Sequence, residues 1–185
     1  MDDKRRTRVS KFLSRILRHT PEDAGLALES GGWVTVETLL AGASTLGFVI
    51  THEELAEVVR TSDKQRFAFD QTGTRIRANQ GHSVEVDLQL GEAAPPALLY
   101  HGTTAATAEA IQAAGLLKMS RHHVHLSPDA ATAVRVGSRR GKPVVFAVDA
   151  AKMRADGHTF FVSANGVWLV EHVPPQYLRV LSPET

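Results

Sequence analysis

Apolar residues at helical spacing define the first elements of the chain. Over residues 5–19 they recur every three or four positions and leave the basic residues on other faces, which predicts a helix that ends before Pro21. Thr35 is placed to cap a second helix, and Thr51 with Glu54 forms the Thr-x-x-Glu capping box of a third helix over residues 52–61. Between these helices, residues 47–50 form a short apolar run that we expect to be extended.

Alternation of apolar and polar residues replaces the helical spacing after residue 65. Residues 66–70 and 75–78 predict two strands joined by a turn at Thr72 and Gly73, and the alternation over residues 84–90 predicts a further strand. Three helices followed by a two-stranded ribbon is the order of a winged-helix module. Modules of this kind bind nucleic acid or proteins, so the order by itself leaves both partners open.

Small residues and two prolines at 91–96 predict a linker, and we place a domain boundary near residue 92. The second half of the chain mixes helical and strand periodicities. Its predicted helices cover residues 104–114, 128–138 (with Pro128 in the first turn) and 150–156. Its predicted strands cover residues 97–101, 116–117, 124–126, 143–148, 160–162, 167–170 and 178–181. Asn165 and Gly166 predict a hairpin turn. We therefore expect an α+β fold with two lobes.

Composition excludes several classes of protein. The 185 residues are 43% hydrophobic, which suits a packed core, and the absence of cysteine excludes disulfides and thiolate metal sites. No apolar run approaches the length that spans a bilayer and no signal-peptide pattern is present, so we expect a cytoplasmic protein without a membrane partner.

Charge is distributed unevenly along the chain. The net charge is only +1, yet basic residues crowd the first eighteen positions. They are Lys4, Arg5, Arg6, Arg8, Lys11, Arg15 and Arg18. A cluster of this kind is either a solvated helix face or a nucleic-acid contact.

Histidines concentrate in the segment between residues 101 and 127, which holds four of the nine in the chain. His123 and His125 would share one face of a strand and could bind one metal ion. No carboxylate lies close to them in sequence, however, and the neighbouring Arg121 would repel a cation. We therefore expect no metal site.

Arginine and histidine recur in segments that hold few carboxylates, and no acid/base pair or nucleophile triad accompanies them. Arginine presents a planar fork of donors that matches phosphate oxygens, and histidine adds further donors. Neither a Walker loop nor a Gly-x-Gly-x-x-Gly turn after a strand is present. Taken singly, each residue has a structural alternative, as Arg66 could pair with Asp63 or Asp70. Taken together, they predict a site for phosphate groups.

The motifs that carry these residues resemble those of the NAD-dependent RNA 2′-phosphotransferases, the Tpt1/KptA family, from about residue 8 to 181. They include Arg18-His19, His101-Gly102-Thr103 and the run Ser120-Arg121-His122-His123. In order along the chain, the matching segments are residues 13–19, 32–34, 64–67, 76–83, 99–103, 119–127, 166–169 and 172–175.

The resemblance implies a winged-helix RNA-binding lobe over residues 1–92 and an ADP-ribosyltransferase-like NAD-binding lobe over residues 93–185. His101-Gly102-Thr103 matches the first motif of the wider ADP-ribosyltransferase fold, and His125 stands where many toxins and polymerases carry tyrosine. The catalytic glutamate of protein ADP-ribosyltransferases has no clear counterpart, because that position is apolar in the family and Glu171 lies only nearby. This departure argues against ordinary protein ADP-ribosylation.

The implied reaction has two steps. The RNA 2′-phosphate attacks C1″ of the nicotinamide ribose and expels nicotinamide, and the ribose 2″-hydroxyl then attacks that phosphate. The products are 2′-hydroxyl RNA and ADP-ribose 1″,2″-cyclic phosphate. The resemblance further implies an RNA partner carrying a 2′-phosphate (spliced tRNA in the eukaryotic members), NAD as co-substrate without a metal, and a monomer.

The resemblance also assigns residues to roles. Arg18, His19 and Arg66 are expected to bind the RNA 2′-phosphate, and Arg121 to stabilise charge in the second step. The residues expected to bind NAD are His101, Gly102, Thr103, Ser120, His123, His125 and Ser127. Arg77 and His82 are weaker candidates for contact with the RNA backbone or between the lobes.

Two other functions stay open from the sequence. The same pocket would suit an ADP-ribosyltransferase that acts on nucleic-acid phosphate ends and stops after the first step. A non-catalytic winged-helix RNA-binding module is the second alternative, although it leaves the histidine-rich segment unexplained.

Overall fold

A computed structural model describes residues 1–62 and 64–181 of the chain. Asp63, one suggested partner of Arg66, and residues 182–185 at the end of the predicted second lobe lie outside the described residues. The chain divides into two compact units, Met1–Gln89 and Leu90–Thr185. Both combine helices with small antiparallel sheets, which confirms the α+β class.

The first unit places its helices and strands in the predicted order. Its helices are α1 (Asp3–Arg18), α2 (Val36–Thr45) and α3 (His52–Thr61), and its strands are β1 (Trp33–Thr35), β2 (Phe67–Phe69) and β3 (Arg75–Ala78). The predicted hairpin of β2 and β3 is confirmed, and β1 adds to it to give the antiparallel order β1-β3-β2.

Local signals account for the helix ends in this unit. The Thr35 side chain accepts a hydrogen bond from the Thr38 backbone, and the Thr51–Glu54 capping box forms with both of its hydrogen bonds, so α3 has the predicted bounds. Most of the apolar stripe of α1 is fully buried and packs with α2, α3 and the sheet in one core, and Phe12 of the stripe is partly buried.

Two predicted extended segments of this unit form no strand. Residues 47–50 form no strand, because Gly47 ends α2 with φ 71° and Phe48 turns back to stack on Phe12 at 4.5 Å between ring centroids. Residues 84–90 also form no strand. They run past the turn at Gly31, whose N–H donates to the Asp87 carbonyl, and only Leu88 of their apolar residues is buried. Alternation produces a strand only where a neighbouring strand is available to pair.

The second unit confirms most of its predicted elements within one or two residues. Its helices are α4 (Ala105–Ala114), α5 (Ala130–Gly137) and α6 (Ala150–Ala155). Its strands are β4 (Leu98–Thr104), β5 (Leu116–Leu117), β6 (Val124–Leu126), β7 (Pro143–Asp149), β8 (Phe160–Val162), β9 (Trp168–Val170), β10 (His172–Val173) and β11 (Leu178–Leu181).

Two three-stranded antiparallel sheets organise this unit, with strand orders β11-β7-β4 and β6-β9-β8. Tyr100 of β4 bridges to Ser127 just after β6 through two backbone hydrogen bonds, of 2.9 and 2.7 Å, which joins the two sheets at one point. A core that includes Leu99, Val148, Val124 and Phe160 draws on both sheets.

Three details of the second unit differ from the predictions. Asp129 caps α5 by accepting a hydrogen bond from the Thr132 backbone, so Pro128 lies before the helix. Part of the predicted linker belongs to the unit, because Glu92 bridges to Phe161 and the Ala93 N–H donates to the Phe160 carbonyl. The pairing of β10 with β5 was not predicted, since two-residue strands carry no periodic signal.

Across the described ranges, no helix is both long enough and apolar enough to cross a bilayer.

Candidate functional site

Arg18 and His19 lie at the C-terminal end of α1, where Arg18 is its last residue and His19 its C-cap. The segment after β3 holds this end through Ser83. The Ser83 N–H donates to the Arg18 carbonyl at 2.9 Å, and the Ser83 hydroxyl lies 2.9 Å from His19 Nδ1. Because carbonyls at a helix C-terminus attract positive charge, this position suits basic side chains.

Arg66 precedes β2 and lies next to Arg18 in the first unit. Its carbonyl accepts from the Asn79 N–H at 2.9 Å and from Arg18 Nη2 at 3.4 Å. The buried Asn79 amide donates to the carbonyl of Gln65, whose backbone has the unusual φ of 42°. Asn79 therefore fixes the main chain on both sides of the Gln65–Arg66 peptide bond. Among the described residues, no carboxylate pairs with the Arg66 guanidinium.

His19 and Arg66 line the same open groove of about 700 Å³. One wall is α1, and the other is formed by the end of α3 and the residues before β2. Its lining is mostly basic and hydroxyl-bearing: Asp3, Arg6, Thr7, Ser10, Lys11, Ser14, Arg15, His19, Val58, Thr61, Ser62 and Arg66.

The two weaker candidates of this unit have structural surroundings. Arg77 lies over the Trp33 ring at 4.5 Å from its centroid and donates to the Gly31 carbonyl at 3.3 Å. Burial lowers the pKa of Arg77 from its ordinary value. His82 is buried beside the same turn, where a Cβ on Gly32 would lie 3.4 Å from its Nε2. These surroundings give both residues a structural position in the first unit.

The second unit brings together three of its predicted site residues. His101 Nδ1 lies 3.1 Å from the His125 carbonyl, and Arg121 Nη1 lies 3.4 Å from His125 Nδ1. A carbonyl only accepts and a guanidinium only donates, so His101 donates from Nδ1 and His125 accepts at its own Nδ1. His101 Nε2 is therefore an acceptor for a hydroxyl group.

Burial sets the charge of His101. Desolvation lowers its pKa from the ordinary value, the hydrogen bond to the His125 carbonyl opposes this, and the nearby Arg121 charge lowers it further. His101 is thus a neutral imidazole at neutral pH.

The neighbours of His101 have different surroundings. A Cβ on Gly102 would lie 1.7 Å from the Ala133 carbonyl oxygen of α5, so β4 packs directly on that helix. The Thr103 hydroxyl lies 2.5 Å from that of Thr107, and Ser127 forms the backbone bridge to β4. Ser120 is exposed in the turn before Arg121.

His123 belongs to another pocket. Its ring lies 5.5 Å from that of Phe161, and desolvation, followed by the charge of His122, lowers its pKa. It lines a cavity of about 460 Å³ whose lining includes His122, His158 and His172 but not His101, Arg121 or His125. The sequence did not indicate this grouping, because His158 and His172 lie far from His123 along the chain.

Sequence analysis also missed the positioning roles of Asn79 and Ser83. Both lie in the segment 76–83 that carries the family resemblance, which was the available signal for them. In the part of the chain that is described, no group of three or more histidine, aspartate and glutamate side chains could bind a metal ion.

The donors around His101 suit a dinucleotide that carries phosphates and ribose hydroxyls. Arg121 is exposed and pairs with no carboxylate in residues 1–62 and 64–181, so it is available to an anion. His101 Nε2 would accept from a hydroxyl. The chemistry of these side chains therefore fits NAD, which the resemblance requires.

Comparisons with known proteins identify relatives over the whole chain. The profile described as RNA 2′-phosphotransferase, Tpt1 / KptA family, matches residues 4–172. A probable RNA 2′-phosphotransferase of Streptomyces coelicolor is 58% identical over 183 residues, covering 99% of this chain and 100% of the relative. One from Trichormus variabilis is 57% identical over 182 residues, covering 98% and 100%. One from Rhodopirellula baltica is 54% identical over 177 residues, covering 95% and 96%.

Identity at this level over nearly the full length of both chains means that these proteins share one fold. With the arginine and histidine clusters described above, it shows that this chain belongs to the RNA 2′-phosphotransferase family, Tpt1/KptA.

Proposed function

We propose that the protein removes an internal 2′-phosphate from RNA by transferring it to NAD. The reaction passes through an ADP-ribosylated RNA 2′-phosphate and yields 2′-hydroxyl RNA, nicotinamide and ADP-ribose 1″,2″-cyclic phosphate. One observation carries the proposal. The first unit gathers Arg18, His19 and Arg66, and no described carboxylate pairs with the Arg66 guanidinium.

In this proposal the first unit binds the RNA and the second binds NAD. The three helices and the three-stranded sheet support a winged-helix RNA-binding lobe over residues 1–92. The two small sheets joined beside His101 support an ADP-ribosyltransferase-like lobe over residues 93–185. Family membership supports both assignments.

The nucleophile in the first step is a phosphate oxygen that is already anionic. It forms a bond to C1″ as the bond from C1″ to nicotinamide breaks, so no general base is required. What the site must supply is alignment and neutralisation of charge, which guanidinium forks provide. Arg18, His19 and Arg66 hold the 2′-phosphate, and the main-chain contacts of Arg66 with Asn79 support a fixed geometry.

NAD supplies an activated carbon with nicotinamide as the leaving group. His101 Nε2 accepts from a ribose hydroxyl, Gly102 and Thr103 shape the adjoining surface, and Ser120, His125 and Ser127 line the pocket. His123, which the resemblance also assigns to NAD, lies beside Phe161 in a separate cavity. Arg121 stabilises the charge that develops when the ribose 2″-hydroxyl attacks phosphorus and the RNA 2′-oxygen leaves as a hydroxyl.

The test is incubation of the protein with NAD and a short RNA that bears one internal 2′-monophosphate, with products separated by mass. We expect 2′-hydroxyl RNA and the cyclic phosphate of ADP-ribose in equal amounts. An ADP-ribosylated RNA that accumulates instead would assign the protein to the transferases that stop after the first step. No nicotinamide release by folded protein would leave an RNA-binding module.

A further inference from the structure

The groove along α1 extends well beyond the residues proposed to hold the 2′-phosphate. Lys11, Arg15 and His19 are spaced four residues apart on one face of the helix, so their Cα atoms are separated by about 6 Å steps along its axis. Ser10 and Ser14 lie on the adjacent stripe and also line the groove. The groove thus continues for about four helical turns from His19 towards the start of α1.

Only one half of this groove is positively charged. Near the start of α1, Arg6 lies between two carboxylates, that of Asp3 and that of Glu57 at 3.6 Å. Towards His19, Lys11 pairs with no carboxylate of the described residues, and Arg15 has only the exposed Asp23 at 3.8 Å. An exposed pair at this distance neutralises little charge. The positive charge that no carboxylate compensates therefore lies next to His19 and Arg66. It extends for about two helical turns along α1, as far as Lys11.

The lining indicates which part of a ligand faces the groove. Apart from the Asp3 carboxylate and the His19 ring, its polar groups are ammonium, guanidinium and hydroxyl donors, and Val58 is its single apolar member. It contains no phenylalanine, tyrosine or tryptophan ring on which a base could stack. Such a surface binds the phosphates of a nucleic acid and does not read its bases. The scarcity of apolar side chains also disfavours a docked protein segment.

We propose that Lys11 and Arg15 bind the phosphodiesters that adjoin the 2′-phosphorylated nucleotide, on one side of that nucleotide only. This inference rests on the proposed function, which places the 2′-phosphate at His19 and Arg66. Ser14 adds a hydroxyl donor between the two cations. The carboxylates beside Arg6 limit the contact to about two nucleotides. Because the lining offers donors for phosphates, the contact is independent of the nucleotide sequence.

The experiment compares the double variant Lys11→Gln/Arg15→Gln with the wild type. The substrates are a 2′-phosphorylated dinucleotide and two hexanucleotides that extend it on the 5′ side only or on the 3′ side only. The control is Lys4→Gln/Arg8→Gln, which removes the same charge from exposed positions of α1 that do not line the groove. Glutamine is a good helix former, so all the variants should fold.

We expect the double variant to lower kcat/KM about tenfold on one of the two hexanucleotides, with much smaller losses on the other two substrates. The slope of log kcat/KM against log salt on the affected substrate should become shallower by about 1.4, because two phosphate contacts are lost from a single strand. The control should retain both the rate and the salt slope.

Three outcomes would overturn the assignment of Lys11 and Arg15. They are equal losses on all the substrates, equal losses on both hexanucleotides, and a control that behaves like the double variant. Binding of the hexanucleotides without NAD is measured in parallel. It separates a failure of the assignment of Lys11 and Arg15 from a failure of the proposed reaction. If binding is weakened by the double variant alone but the wild type turns over no substrate, the proposed reaction fails and the phosphate contacts stand.

Discussion

At the scale of single residues, hydrogen bonds to the main chain hold the backbone of Arg66 in place. Its carbonyl accepts from Asn79 and Arg18, and Asn79 also holds the strained Gln65 peptide. No described carboxylate competes for the guanidinium. This combination suits a side chain that must be in place before an anionic ligand arrives.

Replacement of Arg66 tests this role. We expect Arg66→Ala to lower the rate of 2′-phosphate removal by at least about a thousandfold, since a guanidinium that aligns and neutralises a reacting phosphate contributes about 4 kcal/mol. NAD affinity, measured by calorimetry, should stay close to that of the wild type. Arg66→Lys retains the charge without the fork and should recover only part of the rate. Equal losses of NAD binding and turnover would contradict the division of roles.

The neutral His101 predicts how stability depends on pH. Burial holds its pKa in the folded protein below the ordinary value of 6.5, so the unfolded chain takes up a proton at higher pH than the folded chain does. The stability that this contributes is fully present above pH 6.5 and is lost as the pH falls below it.

We therefore expect wild-type protein to lose more free energy of unfolding between pH 7.5 and 5.5 than the variant His101→Asn. The asparagine amide can donate to the His125 carbonyl as Nδ1 does, so this variant removes the titration while keeping the hydrogen bond. Urea unfolding at the two pH values measures the difference. An identical loss in the two proteins would show that His101 does not titrate in this way.

At the scale of elements, β4 and α5 touch backbone to backbone. A Cβ at Gly102 would lie 1.7 Å from the Ala133 carbonyl oxygen, and one at Gly137 would lie 2.6 Å from that of Thr103. Glycine on each element therefore allows β4 and α5 to approach closely. This approach determines how far His101 and Thr103 are buried. Gly102 is part of the motif that the resemblance assigns to NAD binding. Its packing against α5 is a second requirement for glycine at this position.

The substitution Gly102→Ala should destabilise the protein by about 3 kcal/mol, because neither backbone can move away without breaking its own hydrogen bonds. Gly91→Ala is the matched control, since nothing lies within 4 Å of its added methyl group and its φ is not in the left-handed region. Its effect should be within about 0.5 kcal/mol. Urea unfolding measures both, and similar effects of the two changes would contradict the close packing.

At the scale of the whole molecule, the described residues form a hydrophobic core within each of the two compact units. Leu13 belongs to the core of the first unit and Leu99 to that of the second, and both side chains are fully buried. Each core is formed within its own compact unit. Local stability should therefore respond to a cavity mainly in the unit that contains it.

A pair of equivalent substitutions tests this. Leu13→Ala and Leu99→Ala should each destabilise their own unit by about 3 kcal/mol through the loss of buried methyl groups and the cavity left behind. Hydrogen exchange followed by mass spectrometry should show faster exchange in residues 1–89 for the first variant and in residues 90–181 for the second. If both variants accelerate exchange equally throughout, the two cores unfold as one cooperative unit.

Much of the fold could be predicted because its signals are local. The bounds of α3 follow from a capping box that acts over four residues, and the β2–β3 hairpin follows from alternation around a short turn. Predictions failed where a segment's structure depended on pairing with a strand that is distant in the sequence. Residues 84–90 alternate like a strand but have no strand to pair with, and the predicted linker instead pairs with β8.

The sequence by itself determined the family, the residue types of the site and nearly every helix and strand, because motifs, caps and periodicity are properties of neighbouring residues. Only the tertiary structure decided how the site residues are held. The contacts of Arg66 with Arg18 and Asn79, the contact of His101 with His125, and the groove that Lys11 shares with Arg66 join residues far apart along the chain. Such contacts depend on how packed elements meet, and no local pattern encodes them.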